Sequence, residues 1–161
     1  MSKHDYPVTP SIRFLRDHKI DFEPSVIPYV EHGGTAYSAE CLGVPEHHVI
    51  KTIVLQNEAK KGLIVLMHGD MQVSTRNLAR EIGCKHIELA EQNQATKWTG
   101  FLFGGTGPFG IKTPLPVYVE ESIWSLDYLY INGGKRGFQI KIKPEMLKCL
   151  NPVTVHVATE I

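Results

Sequence analysis

Apolar residues in this chain fall into short runs, and their spacing separates strands from helices. Continuous or alternating apolar stretches predict strands at residues 52–56, 63–68, 117–119, 128–131, 138–142 and 153–157. A looser alternation over 22–30 predicts another extended segment despite Pro24 and Pro28, and 84–89 reads as short and extended. The run Phe101-Leu102-Phe103 reads as a strand that feeds a glycine turn, and the polar stretch 57–62 reads as a hairpin loop.

Helix signals are local and easier to place. Thr9-Pro10 supplies a capping hydroxyl and a proline at the first helical position, with Ile12, Phe14 and Leu15 on the apolar side of a helix ending near Lys19. Gly33-Gly34 reads as a loop, after which Ser38 caps a short helix at 39–42 that Gly43 stops. Residues 44–46 start another helical turn leading to Lys51. Ser74 caps a helix through Ile82, with Leu78 and Ile82 on one face and Gly83 as its stop. Residues 91–99 predict a polar helix, 120–126 a short helix or turn, and Pro144 opens a last helix to Leu150. There is no internal repeat, low-complexity tract or linker. Many short strands among short helices predict an α+β fold, one mixed sheet with helices packed around it, in a single domain over residues 1–161.

Composition narrows the function classes. Seventeen basic and seventeen acidic side chains cancel, so no bulk field favours nucleic acid or membrane. A polyanion would have to be held by a local patch or delivered by a partner protein. The three cysteines are far apart and form no CxxC, which fits a reducing compartment and no disulfide framework. Met1-Ser2-Lys3-His4-Asp5-Tyr6-Pro7 has no apolar signal core, and the longest apolar runs are too short to cross a bilayer. The expectation is a cytoplasmic protein with neither membrane nor DNA as partner.

Candidate chemistry lies in three places. Two glycine turns, Gly104-Gly105-Thr106-Gly107-Pro108-Phe109-Gly110 and Asn132-Gly133-Gly134-Lys135-Arg136-Gly137, follow aromatic-rich runs and fall in a stretch holding eight of the fourteen glycines. Each reads either as a tight hairpin or as a strand end that offers backbone N–H groups to a ligand. The first is no Walker loop, since no Gly-Lys-Ser/Thr follows, and Pro108 opposes a dinucleotide fingerprint. Lys51, at the entry to an apolar strand, is either a lysine reaching out to water or a partly desolvated cation that holds a carbonyl or phosphate oxygen. Lys135-Arg136 is either a solvated hairpin tip or a phosphate contact. Eight histidines invite a metal, but His47 and His48 are adjacent and no HExxH or Cys/His ligand pair occurs, so neither metal nor other cofactor is expected. No GxSxG elbow is present, and a lone cysteine such as Cys41 is usually inert.

The order of these pieces carries more than any one of them. Tyr29, Val49-Ile50-Lys51-Thr52-Ile53, Thr99-Gly100-Phe101-Leu102-Phe103-Gly104-Gly105, Pro108-Phe109-Gly110 and Gly133-Gly134-Lys135-Arg136-Gly137 together resemble the YbaK/EbsC family of aminoacyl-tRNA editing domains, related to the insertion domain of bacterial prolyl-tRNA synthetase. The similarity runs from Thr9-Pro10 to about Leu150. It implies a mixed, largely antiparallel sheet curled into a barrel-like core with helices outside. It also implies deacylation in trans of mischarged tRNA, typically tRNA for proline, from which the YbaK branch clears cysteine.

By the resemblance, Lys51 is the central lysine beside the scissile ester, Gly104 and Gly105 the strand-end pair that approaches the ester or the terminal adenosine, and Tyr29 a pocket tyrosine. Asn132 and Gln139 stand at substrate-binding positions where YbaK-type members carry serine and aspartate. The amide at Gln139 removes a charge and any acid/base role there. Lys135 and Arg136 would meet the tRNA. Such a site needs no enzyme nucleophile, because the ester is already activated and a lysine with aimed N–H groups can stabilise charge on the carbonyl oxygen. Attack comes from water or, in the cysteine-specific branch, from the substrate thiol. The expected partners are the aminoacyl-adenosine end of mischarged tRNA and a synthetase such as prolyl-tRNA synthetase. The competing class is a binding module of the same fold that holds charged tRNA or a synthetase without turnover.

Overall fold

The computed structural model describes residues 5–161. The first four residues of the segment scanned for a signal core therefore lie outside the described residues. Helix α1 (Pro10–Asp17) begins as its sequence predicts: the Thr9 hydroxyl accepts the Ile12 N–H, and Ile12 and Leu15 are fully buried. Helix α3 (Thr75–Ile82) is capped by Ser74 and closed by Gly83 at φ +78°. Helix α4 (Gln92–Thr99) ends on Gly100, also left-handed.

The main sheet has strands β1 (Glu23–Val26), β2 (Val49–Asn57), β3 (Gly62–His68), β5 (Ile87–Leu89), β6 (Val117–Glu120), β7 (Leu129–Asn132), β8 (Phe138–Ile142) and β9 (Val153–Val155). Their order is β1-β8-β7-β2-β3-β6-β9, with β5 added to β2. The pairs β2–β7, β3–β6 and β6–β9 are parallel, and the remaining pairs are antiparallel, which makes the mixed α+β sheet the pattern predicts. A separate ribbon pairs β4 (Met71–Val73) with β10 (Ala158–Glu160), neither of which the apolar spacing announces. Along β2 and β3, Ile50, Val54, Ile64 and Leu66 enter one apolar core, while Leu55, Leu63, Val65 and Met67 enter a second on the other face. Both faces are covered, so these strands read as near-continuous apolar runs.

Several expectations shift. Residues 101–103 form no strand; they enter the glycine turn with Phe101 buried and Leu102 and Phe103 exposed. Helix α2 (Gly34–Leu42) starts within the expected loop, so Ser38 is not its cap but bonds back to the Gly34 carbonyl. The turn after Pro45 is a single 3₁₀ turn (Glu46–His48), and Lys51 already lies inside β2. The segment after Pro144 is also 3₁₀ (Pro144–Leu150). The extended run near Pro24 shortens to the edge strand β1, the place in a sheet that tolerates proline.

One feature of this topology creates space. On the side away from β3, β2 pairs with β7 only at Val49 and Ile50, and with β5 only at Leu55, Gln56 and Asn57. Residues 51–54 between them have no strand partner on that side, although the Val54 carbonyl accepts the Ala90 N–H at 3.1 Å. The Val49 carbonyl faces Gly69, beyond β3, so by alternation the backbone of Thr52 turns into this fork.

Candidate functional site

The fork opens into a cavity of about 820 Å³ whose walls come from β2, the start of α4, α2 and both glycine turns. Lys51, Gly104, Asn132 and Gln139 all line it, together with Thr52, Phe103 and Leu89. Tyr29 and Gly105 do not line it, and Lys135 and Arg136 are exposed beside it.

Lys51 is half-buried, and its Nζ donates to the Gly69 carbonyl at 3.3 Å. Burial lowers its pKa below the ordinary lysine value, while the nearby carboxylates of Glu46 and Asp70 oppose that shift. Gly69 is itself held: its N–H donates to the Val49 carbonyl at 2.7 Å, and Thr35 Oγ1 lies 2.6 Å from Glu46 Oε2 and 3.3 Å from the Gly69 oxygen. A Cβ at Gly69 would stand 2.5 Å from the Thr35 hydroxyl, so only glycine fits there. The lysine is thus a fixed cation on a rigid strand.

Asn132 ties the two glycine turns together. Its Oδ1 accepts the N–H groups of Gly134 (2.7 Å) and Lys135 (3.1 Å), and its Nδ2 donates to the Gly104 carbonyl (3.3 Å). Arg136 adds a second tie, Nε to the Phe103 carbonyl at 2.8 Å, with its guanidinium 5.1 Å from the centre of the Tyr29 ring. Gly104 takes φ +87°, and a Cβ there would come within 3.0 Å of the Tyr29 hydroxyl. Tyr29 therefore sits at the rim, over Gly104. Gly105 spends its N–H on the Leu102 carbonyl and packs against the backbone of Lys135 and Arg136, so it shapes the turn and has no N–H left for a ligand.

Thr52, Thr35 and Gly69 escaped the sequence reading. Thr52 adjoins Lys51 in the chain, and its neighbourhood was the available signal. Thr35 and Gly69 reach Lys51 only through the β2–β3 register and the packing of α2, which nothing in their own surroundings reveals.

A second polar cluster lies behind Gly69. His68 is fully buried; its Nδ1 donates to the His47 carbonyl (2.7 Å) and its Nε2 lies 2.8 Å from Ser122 Oγ. Glu120, 5% exposed, accepts from the Ser122 hydroxyl (2.5 Å) and from the N–H groups of Ser122, Val157 and Ala158. Burial raises the Glu120 pKa, but those hydrogen bonds outweigh it and hold the carboxyl below its ordinary value. Burial lowers the His68 pKa. His47, His68 and Asp70 bring possible metal-ligand atoms within 4.8 Å of one another. The two imidazoles, however, stack with centres 3.7 Å apart and planes 4° from parallel, so their in-plane lone pairs do not converge. Both His68 nitrogens are already engaged, and the trio is not arranged as a chelate.

Comparison with known proteins agrees with this architecture. A crystal structure described as a provisional trans-editing enzyme for prolyl-tRNA synthetase superposes with a TM-score of 0.81 at 21% identity, covering 95% of this chain and 99% of that one. The Enterococcus faecalis (strain ATCC 700802 / V583) protein EbsC, which carries the provisional name of a Cys-tRNA(Pro)/Cys-tRNA(Cys) deacylase, is 27% identical over 143 residues, 88% of this chain and 87% of that protein. The proline–tRNA ligase of Brachyspira hyodysenteriae (strain ATCC 49526 / WA1) is 28% identical over 92 residues, which is 57% of this chain but only 16% of the ligase. The family profile of the aminoacyl-tRNA editing domain matches residues 33–149, a span that holds Lys51, both glycine turns and every wall of the cavity, and this chain belongs to that family.

Proposed function

We propose that this chain is a deacylase that acts in trans on mischarged tRNA, with Cys-tRNA(Pro) the first candidate substrate. The observation that carries this reading is the fixed, half-buried Lys51 on the wall of a cavity that also holds Gly104. A space of about 820 Å³ suits an aminoacyl ester with part of its adenosine. Lys51 binds the ester carbonyl oxygen and stabilises the charge that develops on it, and the low dielectric around a half-buried ammonium strengthens that effect. The backbone of Gly104 approaches the ester or the terminal ribose, which a side chain at this position would block. Tyr29 borders the entrance, and Lys135 and Arg136 meet phosphates next to the 3′ end.

In the hydrolytic route, water adds to the carbonyl carbon, the bond from acyl carbon to ribose oxygen breaks, and the proton from water passes to that oxygen. With a cysteinyl substrate its own thiol takes the place of water: sulfur attacks the carbonyl, and the thiol proton goes to the same leaving oxygen. EbsC, with its name as a deacylase of cysteinyl-tRNA, supports cysteine as the first amino acid to try. Zero net charge gives weak bulk attraction to tRNA, which favours delivery by a synthetase partner, prolyl-tRNA synthetase foremost, in the cytoplasm.

The test is deacylation of tRNA for proline charged separately with cysteine, alanine and proline, and of tRNA for cysteine charged with cysteine. We expect loss of one mischarged species, proline spared, and at least a hundredfold slower turnover in Lys51→Ala. Full activity in Lys51→Ala removes Lys51 from the chemistry. Tight tRNA binding without turnover of any ester makes the chain a binding module.

A further inference from the structure

On the deacylase reading, Lys51 takes the ester oxygen, Gly104 meets the ester or the ribose, and Lys135 and Arg136 meet phosphates, but the base of the terminal nucleotide has no partner. One side chain at the cavity is left without a role. Phe103 is the only aromatic residue on the cavity walls among the described residues. It is also the one exposed phenylalanine of the six, at 57%, while the other five are buried or half-buried. It enters neither apolar core. A lone exposed apolar side chain is ordinary on a protein surface. This one stands on the wall of the candidate site and on a backbone that is held in place.

The Gly105 N–H donates to the Leu102 carbonyl at 2.8 Å, which closes a four-residue turn over 102–105 with Phe103 at its second position. Gly104, the third, takes φ +87°, close to the value a type II turn requires there. The Phe103 carbonyl accepts Arg136 Nε at 2.8 Å, so the turn is tied to the basic residues of the second glycine turn. The neighbouring side chains are not equivalent to Phe103. Tyr29 lies over Gly104, has the Arg136 guanidinium against its ring, and does not line the cavity. Leu102, 61% exposed, does not line it either. Phe103 thus combines what proteins use to hold single-stranded nucleic acid, a flat apolar ring beside positive charge.

Resting on the deacylase reading above, we infer that Phe103 binds the base of the substrate's 3′-terminal nucleotide, which stacks on its ring while the acyl group reaches Lys51. A nucleobase presents a flat π face, and a phenyl ring offers no hydrogen-bond donor or acceptor, so the contact holds the base without reading its edge. That suits a 3′ end whose sequence all tRNAs share. It anchors the nucleotide and leaves the choice of amino acid to the rest of the cavity. Little freedom is lost on contact, because the turn already fixes the backbone that carries the ring. A protein partner docking on exposed apolar side chains would instead use Leu102 as much as Phe103.

Calorimetric binding to the full chain tests this with two hydrolysis-resistant probes: 3′-deoxyadenosine joined through a 3′-amide to cysteine, and the same acylated sugar with hydrogen in place of the base. The wild type should bind the first about tenfold more tightly than the second. Phe103→Ala should erase that preference, leave affinity for the base-free probe unchanged, and keep the melting temperature, since the ring packs in neither core. Phe103→Trp should retain the preference, and Leu102→Ala should behave as the wild type. Equal binding of both probes by the wild type overturns the inference, as does a preference that survives in Phe103→Ala, an equal loss for both probes, or binding of neither. Loss of prolyl-tRNA synthetase binding in Phe103→Ala and Leu102→Ala alike, with the probe preference intact, assigns the ring to a protein partner and overturns it too. A Phe103-dependent preference in a chain that deacylates no tRNA leaves the inference standing and overturns the deacylase reading. Deacylation of mischarged tRNA with no preference for the base does the reverse.

Discussion

The two buried polar clusters next to β2 and β3 differ in one respect: one is closed and the other is not. Around Glu120, Ser122 and His68, every polar side-chain atom named lies within hydrogen-bond distance of another group of the chain. On the cavity wall, Thr52 Oγ1 and Gln139 Oε1 have none. A closed network rigidifies what rests on it, here the turn His68-Gly69-Asp70 that anchors Lys51. An open one gives up stability, here on the wall of the cavity proposed to take the substrate. Removing a polar group should therefore hurt folding in the first cluster and leave it nearly unchanged in the second.

The largest effect is expected in the closed cluster. Glu120→Ala strips the buried N–H of Val157 and the partly buried N–H groups of Ala158 and Ser122 of their acceptor and should destabilise the fold by about 3 kcal/mol in urea unfolding. The pH dependence sharpens the same point. The folded Glu120 pKa lies below its unfolded value, so its contribution is fully present above the unfolded value and is lost as pH falls through the folded one. Urea midpoints measured from pH 6 down to pH 3 should fall less steeply in Glu120→Gln. An unchanged slope would show that another carboxylate governs acid unfolding.

Lys51→Ala comes next, with deacylation reduced about a hundredfold and the melting temperature nearly unchanged. Because burial lowers the Lys51 pKa, its ammonium is lost at lower pH than in free lysine. Activity that depends on the charged lysine should then decline on the alkaline side earlier than an exposed lysine would allow, and a pH–rate profile reads this directly.

Gly69→Ala joins the two regions. Its new methyl would press on Thr35 and move the carbonyl that holds Lys51, so we expect a drop of about 1–2 kcal/mol in stability and about a tenfold loss of turnover. A loss of stability with turnover untouched would separate the turn from the lysine. The smallest effect is at the rim: Arg136→Ala should weaken tRNA binding a few-fold and reduce the slope of log affinity against log salt by about one. A slope that stays the same would mean that Arg136 serves only its ties to the Phe103 carbonyl and Tyr29.

Much of the architecture was legible because its causes are local. Thr9-Pro10, Ser74 and Gly83, and Gly100 bound their helices through groups a few residues away. The pair Leu129–Asn132 and Phe138–Ile142 shows as a hairpin because its turn lies between the two apolar runs. The run Phe101-Leu102-Phe103 misled for the complementary reason: an aromatic triplet has strand propensity, but no strand lies beside it to pair with. Gly33-Gly34 was read as a loop and Ser38 as a cap because two glycines outweighed a helix whose support comes from packing against β2 and the turn Glu46–His48.

The chain by itself determined the α+β class and most element boundaries, and the ordered resemblance pointed to six site residues, of which Lys51, Gly104, Asn132 and Gln139 line one cavity. Side-chain type and near-neighbour spacing suffice for those. Only the tertiary structure decided that Tyr29 stands at the rim, that the Gly105 N–H is spent inside its own turn, and that Asn132 fastens the two glycine turns. The fork in β2 belongs with these, since it depends on where β7 stops pairing and β5 begins. Whether a buried polar atom is satisfied depends on partners from distant strands, and that is a property of register and packing which residue order alone does not contain.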